Sequence, residues 1–371
     1  MARHLSLVAA PDLTPDVLRA ALDGRQPLAV LPDGPAAVVE AARAVLRPEE
    51  PLEPGADLVV VTSGSTGGGR GVLLPASAVR ASAAATLDRI GGPGGWLLAL
   101  PVSSIAGLQV LARGILSDRP VTRLRRDEPL AVAVARLPAG RRYTSLVPTQ
   151  LRRYLDTEPD ALRGFDAILV GGAATDAALR ERARRAGVRV VTTYGMTETA
   201  GGCVYDGRPL DGVRLRVAEG VELAGPTLAL GYRLDPAATE AAFADGWFRT
   251  RDAGTLDADG RLTVTGRLDD VVVSGGVNVA PAAVESALRE HPRVADAVVF
   301  GRPDETWGQR VVAVVVPAAG TTPELGDLRA WVTARLGAPA APRQLHVLDA
   351  LPLLHTGKPD RHAVAALTPE V

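Results

Sequence analysis

The sequence is almost without lysine. Of its 41 basic residues, set against 42 acidic ones, Lys358 is the single lysine and the rest are arginine. Heavy use of Ala, Gly and Arg is the mark of a GC-rich genome that writes arginine wherever either cation serves. A lysine that survives there is either a chance surface residue or a place that needs a compact, mobile point charge in place of a planar fork. Cysteine is as scarce: Cys203 stands alone, which excludes an intrachain disulfide and a four-cysteine metal site. The five histidines are scattered, with no metal-ligand spacing, and no nucleophile elbow occurs. No apolar run approaches the roughly 18–20 residues that span a bilayer. The N-terminal stretch MARHLSLVAAPDLTPD lacks the apolar core of a signal peptide. A formal net charge of -1 gives no electrostatic footprint for nucleic acid or an anionic membrane surface. The expectation is a soluble, cytoplasmic, globular chain whose 371 residues suffice for two domains.

What the sequence does have is a glycine loop, VTSGSTGGGRGV, at residues 61–72. Gly64, Gly67, Gly68 and Gly69 admit backbone angles that turn successive N–H groups towards an anion. Thr62, Ser63, Ser65 and Thr66 add hydroxyl donors among them. A Walker A loop ends in Gly-Lys-Ser/Thr and opens a helix; this one ends Gly-Arg-Gly and continues into an apolar strand, GVLLP. Alone, it reads sooner as a flexible glycine turn than as a phosphate loop.

From residue 57 to about 250, short apolar runs alternate with helical patterns, which predicts an α/β fold of layered sheets and helices. ADLVVV and GVLLP read as strands and ASAVRASAAATLDRI as a helix. RYTSLV reads as a strand, with Pro148 opening the helix TQLRRYL. FDAILV runs into Gly171-Gly172, Thr175 or Asp176 caps a helix that Gly187 closes, and VRVVTTY is the next strand. Ligands bind where such strands end. After Gly266 the pattern changes to a small α+β unit with a helix begun near Pro281, so the expected domains are 1–267 and 268–371.

Five segments stand in order: TSGSTGGGRGV, YGMTET, WFRTRDAG, GRLDDVVVSGG and LPLLHTGKPDR. Together they resemble the adenylate-forming (acyl-CoA synthetase, AMP-binding) superfamily over nearly everything from residue 57 to 361. The resemblance implies a large N-terminal ATP- and acid-binding domain and a small mobile C-terminal lid. It implies that Thr62, Ser63, Gly64, Ser65, Thr66 and Gly67 wrap the outer phosphates of ATP. Gly171, Gly172 and Ala173 would lie along the adenine, with Tyr194 against it and Gly195 and Met196 beside it. Thr197 would bond the α-phosphate, and Glu198 would bind Mg²⁺, a hard ion that prefers carboxylate and phosphate oxygens. Asp252 would accept from both ribose hydroxyls and Arg267 would contact the ribose. Asp269 would be the hinge. Lys358 would follow the charge that moves between carboxylate and α-phosphate during adenylation. The lid would then turn, bringing Ser274, Gly275 and Gly276 to admit the thiol of coenzyme A.

The stretches LPVSSIAGLQVLARGIL, TSLVPTQLRRYL and GGCVYDGRPLDGVRLRV most resemble the branch that activates o-succinylbenzoate for menaquinone biosynthesis, in a short form from GC-rich bacteria. That implies an acid pocket at Ser104, Gln109, Pro148, Gln150 and Gly195, and a cation for a second carboxylate. Arg152 is a candidate for it, or a solvated helix residue. The alternatives are a ligase for another aryl or medium-chain acid, an adenylation enzyme that loads a carrier protein, or a degenerate nucleotide-binding module. The expected partners are the acid, ATP and CoA, with no nucleic acid, no membrane insertion, and a homodimer to shield the flank left by the short N-terminus. Arg70 stands where the superfamily has lysine, Ser104 where many members have histidine, and Arg251 where glycine is common.

Overall fold

Short, wholly apolar runs become inner strands, because a strand covered on both faces has no polar side to show. The structure, a computed structural model, describes residues 3–62, 69–354 and 359–368. The chain divides into two compact units. The first takes residues up to Thr175 with Leu179–Arg216 and Glu222–Thr250; the second takes Arg251 onward with Asp176–Ala178 and Val217–Val221. The fold is α/β, as the alternating pattern predicts.

In the first unit, β1 (Ser6–Ala9), β2 (Leu28–Leu31) and β3 (Leu58–Thr62) run parallel, and β4 (Arg70–Leu74) returns antiparallel to β3. The two-residue strand Gly231–Tyr232 closes this sheet against β4. A second sheet contains β5 (Gly95–Leu98), β6 (Val121–Arg123), β7 (Arg142–Leu146), β8 (Ala167–Val170), β9 (Val190–Met196), β10 (Gly201–Tyr205) and β11 (Arg208–Pro209). Its order is β11-β10-β9-β8-β7-β5-β6. β5 to β9 are parallel and β10 turns back on β9. The chain therefore leaves β7, β8 and β9 on the same side of the sheet. Pro148, Gly171 and Thr197 follow those strands directly, and this places them along one edge.

The helices begin and end for local reasons. Pro148 and Pro281 occupy the first turns of Pro148–Thr157 and Pro281–Arg289, where the missing N–H costs nothing. Ala76–Ile90 stops at Gly91, which takes the left-handed turn at φ 115°. Leu97, Leu146, Leu151, Leu162, Ile168 and Val170 form the core behind the second sheet. Each such side chain contributes about 1.5–3 kcal/mol by leaving water.

The second unit opens with the hairpin Asp252–Leu256 and Leu262–Arg267. A mixed sheet follows in the order Val277–Val279, Val272–Ser274, Gly308–Pro317, Val294–Asp304, with Gln344–Val347 parallel to Gly308–Pro317. Helices Pro281–Arg289 and Leu325–Leu336 pack Val284, Leu288, Leu328 and Val332 onto Val299, Val311 and Val315. Among the described residues, no helix is long and apolar enough to cross a membrane.

Candidate active site

The glycine loop leaves β3 at Thr62 and rejoins β4 at Arg70, which are paired across the ladder. The Thr62 hydroxyl lies 3.3 Å from the Arg70 carbonyl and 3.4 Å from its N–H, so the base of the loop is closed. Ser63, Gly64, Ser65, Thr66 and Gly67 lie outside the described residues. Arg70 sets its guanidinium 5.1 Å from the ring centroid of Tyr232.

The turn after β9 is the most tightly built part of the site. Thr197–Thr199 form one helical turn, and Ala200 leaves it in the left-handed conformation at φ 50°. The Thr199 hydroxyl accepts the Met196 N–H at 3.0 Å and sits 2.8 Å from the Gly201 carbonyl. A Cβ on Gly195 would stand 2.2 Å from the Gly201 oxygen and 2.7 Å from the Gly202 Cα, so only glycine lets β9 and β10 close here. Tyr194 and Met196 flank it on β9. Glu198 is fixed twice: its carbonyl accepts from Ala229 N–H at 2.8 Å, and its carboxylate accepts from the Tyr232 hydroxyl at 3.0 Å. Burial, then the charge and hydrogen bond of Glu198, push the Tyr232 phenol above its ordinary pKa, so it remains a donor at neutral pH. Gly171, after β8, packs on Thr193 of β9; Gly172 takes φ 81° and leads, with Ala173, to the exposed side. Burial pushes the Cys203 thiol up to about 12, so it is no nucleophile.

The residues expected to line the acid pocket act largely on their own backbone. Ser104 caps helix Ile105–Leu116: its hydroxyl accepts from Gly107 N–H at 3.3 Å and donates to Pro101 at 2.7 Å. Gln150 accepts from Val147 N–H at 3.0 Å and donates to Ala99 at 2.9 Å, locking the turn that carries Pro148. Gln109 is fully buried and its amide donates to Ala200 at 2.7 Å and Val79 at 3.2 Å, tying the helix to the Thr197–Thr199 turn. Arg152 lies on helix Pro148–Thr157 and is half-buried.

One residue escaped the sequence. Arg113, one helical turn beyond Gln109, is 3% exposed. Its Nη1 lies 3.5 Å from the Ser145 hydroxyl near the end of β7, and its guanidinium carbon stands 4.9 Å from the Trp96 ring centroid. Among the described residues it has no carboxylate partner, and its Nε and the Gln109 Oε1 have no hydrogen-bond partner. Burial pulls its pKa below the ordinary value, with Tyr205 acting the other way. A buried cation without an anion is expensive, by several kcal/mol even after relaxation (roughly). The nearest sequence signal was the position of Arg113 four residues after Gln109, in the middle of an apolar helix.

In the second unit, Asp252 and Arg267 face each other across the hairpin with Nε 3.8 Å from Oδ1. Arg267 grips Asp269 at 3.0 and 3.1 Å. That hydrogen bond raises the Arg267 pKa. Burial acts upward on the Asp269 carboxyl, but the hydrogen bond and charge of Arg267 outweigh it and leave it below the ordinary range. Arg251, unexplained by sequence, lies 3.5 Å from Asp269 and joins the same cluster. Gly275 (φ 60°) and Gly276 (φ 77°) form the two-residue turn between Val272–Ser274 and Val277–Val279, in which both central positions require positive φ. Ser274 is buried beside them. Gly275 N–H donates to the Trp307 carbonyl at 2.9 Å, and Val273, Gly275, Gly276, Thr306, Trp307 and Gln309 line an open groove. Lys358 lies outside the described residues. The strand-like bridge Leu353–Pro359 and the bond from Asp360 N–H to the Pro352 carbonyl at 2.8 Å close the base of its loop.

Among the described residues no cluster of three metal-binding side chains exists, so a protein-only metal cage is excluded there. Glu198, a carboxylate that accepts from the Tyr232 hydroxyl, is the kind of ligand that Mg²⁺ takes together with phosphate oxygens. Of the expected site residues, the first unit holds Glu198 against Tyr232 and the second holds Asp252 against Arg267.

Comparison with known proteins agrees. The AMP-binding enzyme model matches residues 10–228, and the AMP-binding enzyme C-terminal domain model matches 283–358. A relative from Mycobacterium tuberculosis, named "Probable 2-succinylbenzoate--CoA ligase", is 47% identical over 338 residues, covering 88% of this chain and 88% of its own. The solved o-succinylbenzoate CoA synthetase (MenE) of Bacillus subtilis, in complex with the acyl-adenylate intermediate OSB-AMP, superposes with a TM-score of 0.78 at 26% identity. It covers 97% of this chain and 82% of its own. The same enzyme in complex with ATP and magnesium ion gives a TM-score of 0.76 at 25% identity, over 97% of this chain and 83% of its own. The chain belongs to the AMP-binding enzyme family.

Proposed function

We propose that this chain is an AMP-forming acid–CoA ligase that converts o-succinylbenzoate to o-succinylbenzoyl-CoA for menaquinone biosynthesis. The observation that carries the choice of acid is Arg113. A substrate with two carboxylates can give one to the reaction and leave the other to be neutralised, and Arg113, buried beside Ser145 with no carboxylate partner among the described residues, would supply the cation. The names of the relatives supply the same acid.

In the first step one substrate carboxylate attacks the α-phosphorus of ATP, forming a carboxylate–phosphate bond and expelling pyrophosphate. The residues Thr62–Gly67 would hold the outer phosphates through backbone N–H groups and hydroxyls. Thr197 would bond the α-phosphate, while Gly171, Gly172, Ala173, Tyr194, Gly195 and Met196 would border the adenine. Asp252 and Arg267 would take the ribose. Glu198 would hold Mg²⁺, whose charge offsets that of the phosphates when bound. Lys358 would stabilise charge on the reacting oxygens. In the second step the thiol of coenzyme A attacks the acyl carbon and AMP leaves. Asp269 would be the hinge of the change, and Ser274, Gly275 and Gly276 would border the thiol's path. Ser104, Gln109, Pro148, Gln150 and Gly195 would shape the acid pocket, the first four mainly by fixing its backbone. The chain would act in the cytoplasm, where ATP and CoA are supplied, and as a homodimer.

The test is chemical. Analogues of o-succinylbenzoate lacking one or the other carboxylate should lose about 10³-fold or more of kcat/KM, since a site built for a polar group rejects a substrate that leaves it unpaired. Turnover of either monoacid at the diacid's rate would remove the assignment.

A further inference from the structure

We infer that Tyr232 is a positioning residue for Glu198, and with Arg70 couples the exit of the glycine loop to the metal-binding acid; the inference rests on the adenylation chemistry proposed above. Tyr232 comes from a two-residue strand that carries none of the motifs expected to touch ATP. It is 7% exposed, yet its hydroxyl reaches the Glu198 carboxylate at 3.0 Å. Such a bond to an ionised acceptor is stronger than a neutral one.

The tyrosine is itself held with unusual thoroughness for so short a strand. Its partner on β4 is Val72, two residues past Arg70. Its N–H donates to the Thr239 hydroxyl at 2.9 Å, and its ring meets Phe243 edge-on at 5.9 Å. The next residue, Arg233, has a fully buried side chain that donates to the carbonyls of Leu46, Arg47, Glu50 and Pro51 and pairs with Glu53 at 2.7 Å. Its N–H donates to the Gly71 carbonyl at 2.7 Å. The strand is thus pinned on both sides, and Tyr232 cannot drift without breaking that network. Over the ring lies Arg70, the residue that closes the glycine loop. A planar guanidinium stacks on an aromatic face where an ammonium gives only a point charge. This gives arginine, in place of the superfamily's lysine, a specific role: loop exit, ring and acid form one contact chain.

The experiment compares wild type, Tyr232→Phe and Arg70→Lys. Binding of Mn²⁺ is followed calorimetrically in the presence of a non-hydrolysable ATP analogue, and the two half-reactions are assayed separately. Loss of the hydroxyl should weaken Mn²⁺ binding about 10-fold, the lower end for a group that orients a metal ligand. The metal concentration for half-maximal adenylation should rise by a similar factor. KM for the acid and thioester formation from synthetic acyl-adenylate should not move. Arg70→Lys should shift metal binding in the same direction by a smaller factor, and it carries the test if Tyr232→Phe proves insoluble. Wild-type Mn²⁺ affinity in whichever variant is soluble would overturn the inference while leaving the adenylation chemistry standing. Failure of the wild type to bind Mn²⁺ with the nucleotide analogue would instead overturn the chemistry on which it rests.

Discussion

Arg113→Met should melt at or above the wild-type temperature and yet lose about 100-fold of kcat/KM for the diacid. The two halves of this result have one cause. In the free protein the Arg113 guanidinium is buried, loosely placed against Ser145 and without an acid among the described residues. Replacing a buried ion by an apolar side chain of similar volume is commonly neutral or stabilising by about 1–4 kcal/mol. If Arg113 takes the second carboxylate of the substrate as proposed, the same change would leave that carboxylate with no cation, a loss of about 2–5 kcal/mol. A hundredfold effect corresponds to about 2.7 kcal/mol, within that range. The loss should appear mainly in KM, because a carboxylate remote from the reaction is bound alike in ground and transition states. A monoacid should be affected far less. Arg113→Lys should fall between, keeping the charge and losing the fork. Equal losses for diacid and monoacid, or a lowered melting temperature with unchanged KM, would give Arg113 a structural role only.

Lys358→Ala should slow adenylation by about 10²-fold or more while sparing thioester formation from synthetic acyl-adenylate. The lysine itself lies outside the described residues, but its surroundings define what it is attached to. Leu353 and Pro359 bridge across the base of its loop, and Asp360 caps helix Arg361–Ala366 by accepting from Ala363 N–H at 3.0 Å. Arg361, three residues on, donates to the Val299 carbonyl at 2.9 Å and pairs with the buried Glu285. The chain that follows Pro359 is therefore anchored to the sheet of the second unit. An ammonium that meets charge existing only as the acyl–phosphate bond forms would make its loss one of kcat. Separate assays of the two half-reactions decide: equal damage to both would refute the assignment of this lysine to adenylation.

Much of the framework was legible from residue chemistry. The helix read from ASAVRASAAATLDRI runs Ala76–Ile90, and Pro148 and Pro281 open helices at their first turns, because each signal is local. The strand ends at Gly171 and Thr197 were readable too, since β8 stops at Val170 and β9 at Met196. Three features were not. Arg113 was hidden because the chain uses arginine nearly everywhere, so burial of one guanidinium leaves no mark in composition. Tyr232 was hidden because a two-residue strand has no periodicity, and its partner β4 lies some 160 residues earlier in the chain (about). The hydrogen bonds that Ser104 and Gln150 make to the backbone were not foreseen, although Ser104 directly ahead of the helix that begins at Ile105 already carried the helix-cap signal.

The most direct measurement is AMP formation from ATP, Mg²⁺ and CoA with o-succinylbenzoate, beside benzoate, succinate and a medium-chain fatty acid. The expected result is strong, CoA-dependent turnover of o-succinylbenzoate alone. Turnover of another acid in its place, or adenylation followed by transfer to a carrier protein without free CoA, would contradict the account and assign the same two-step chemistry to a different substrate.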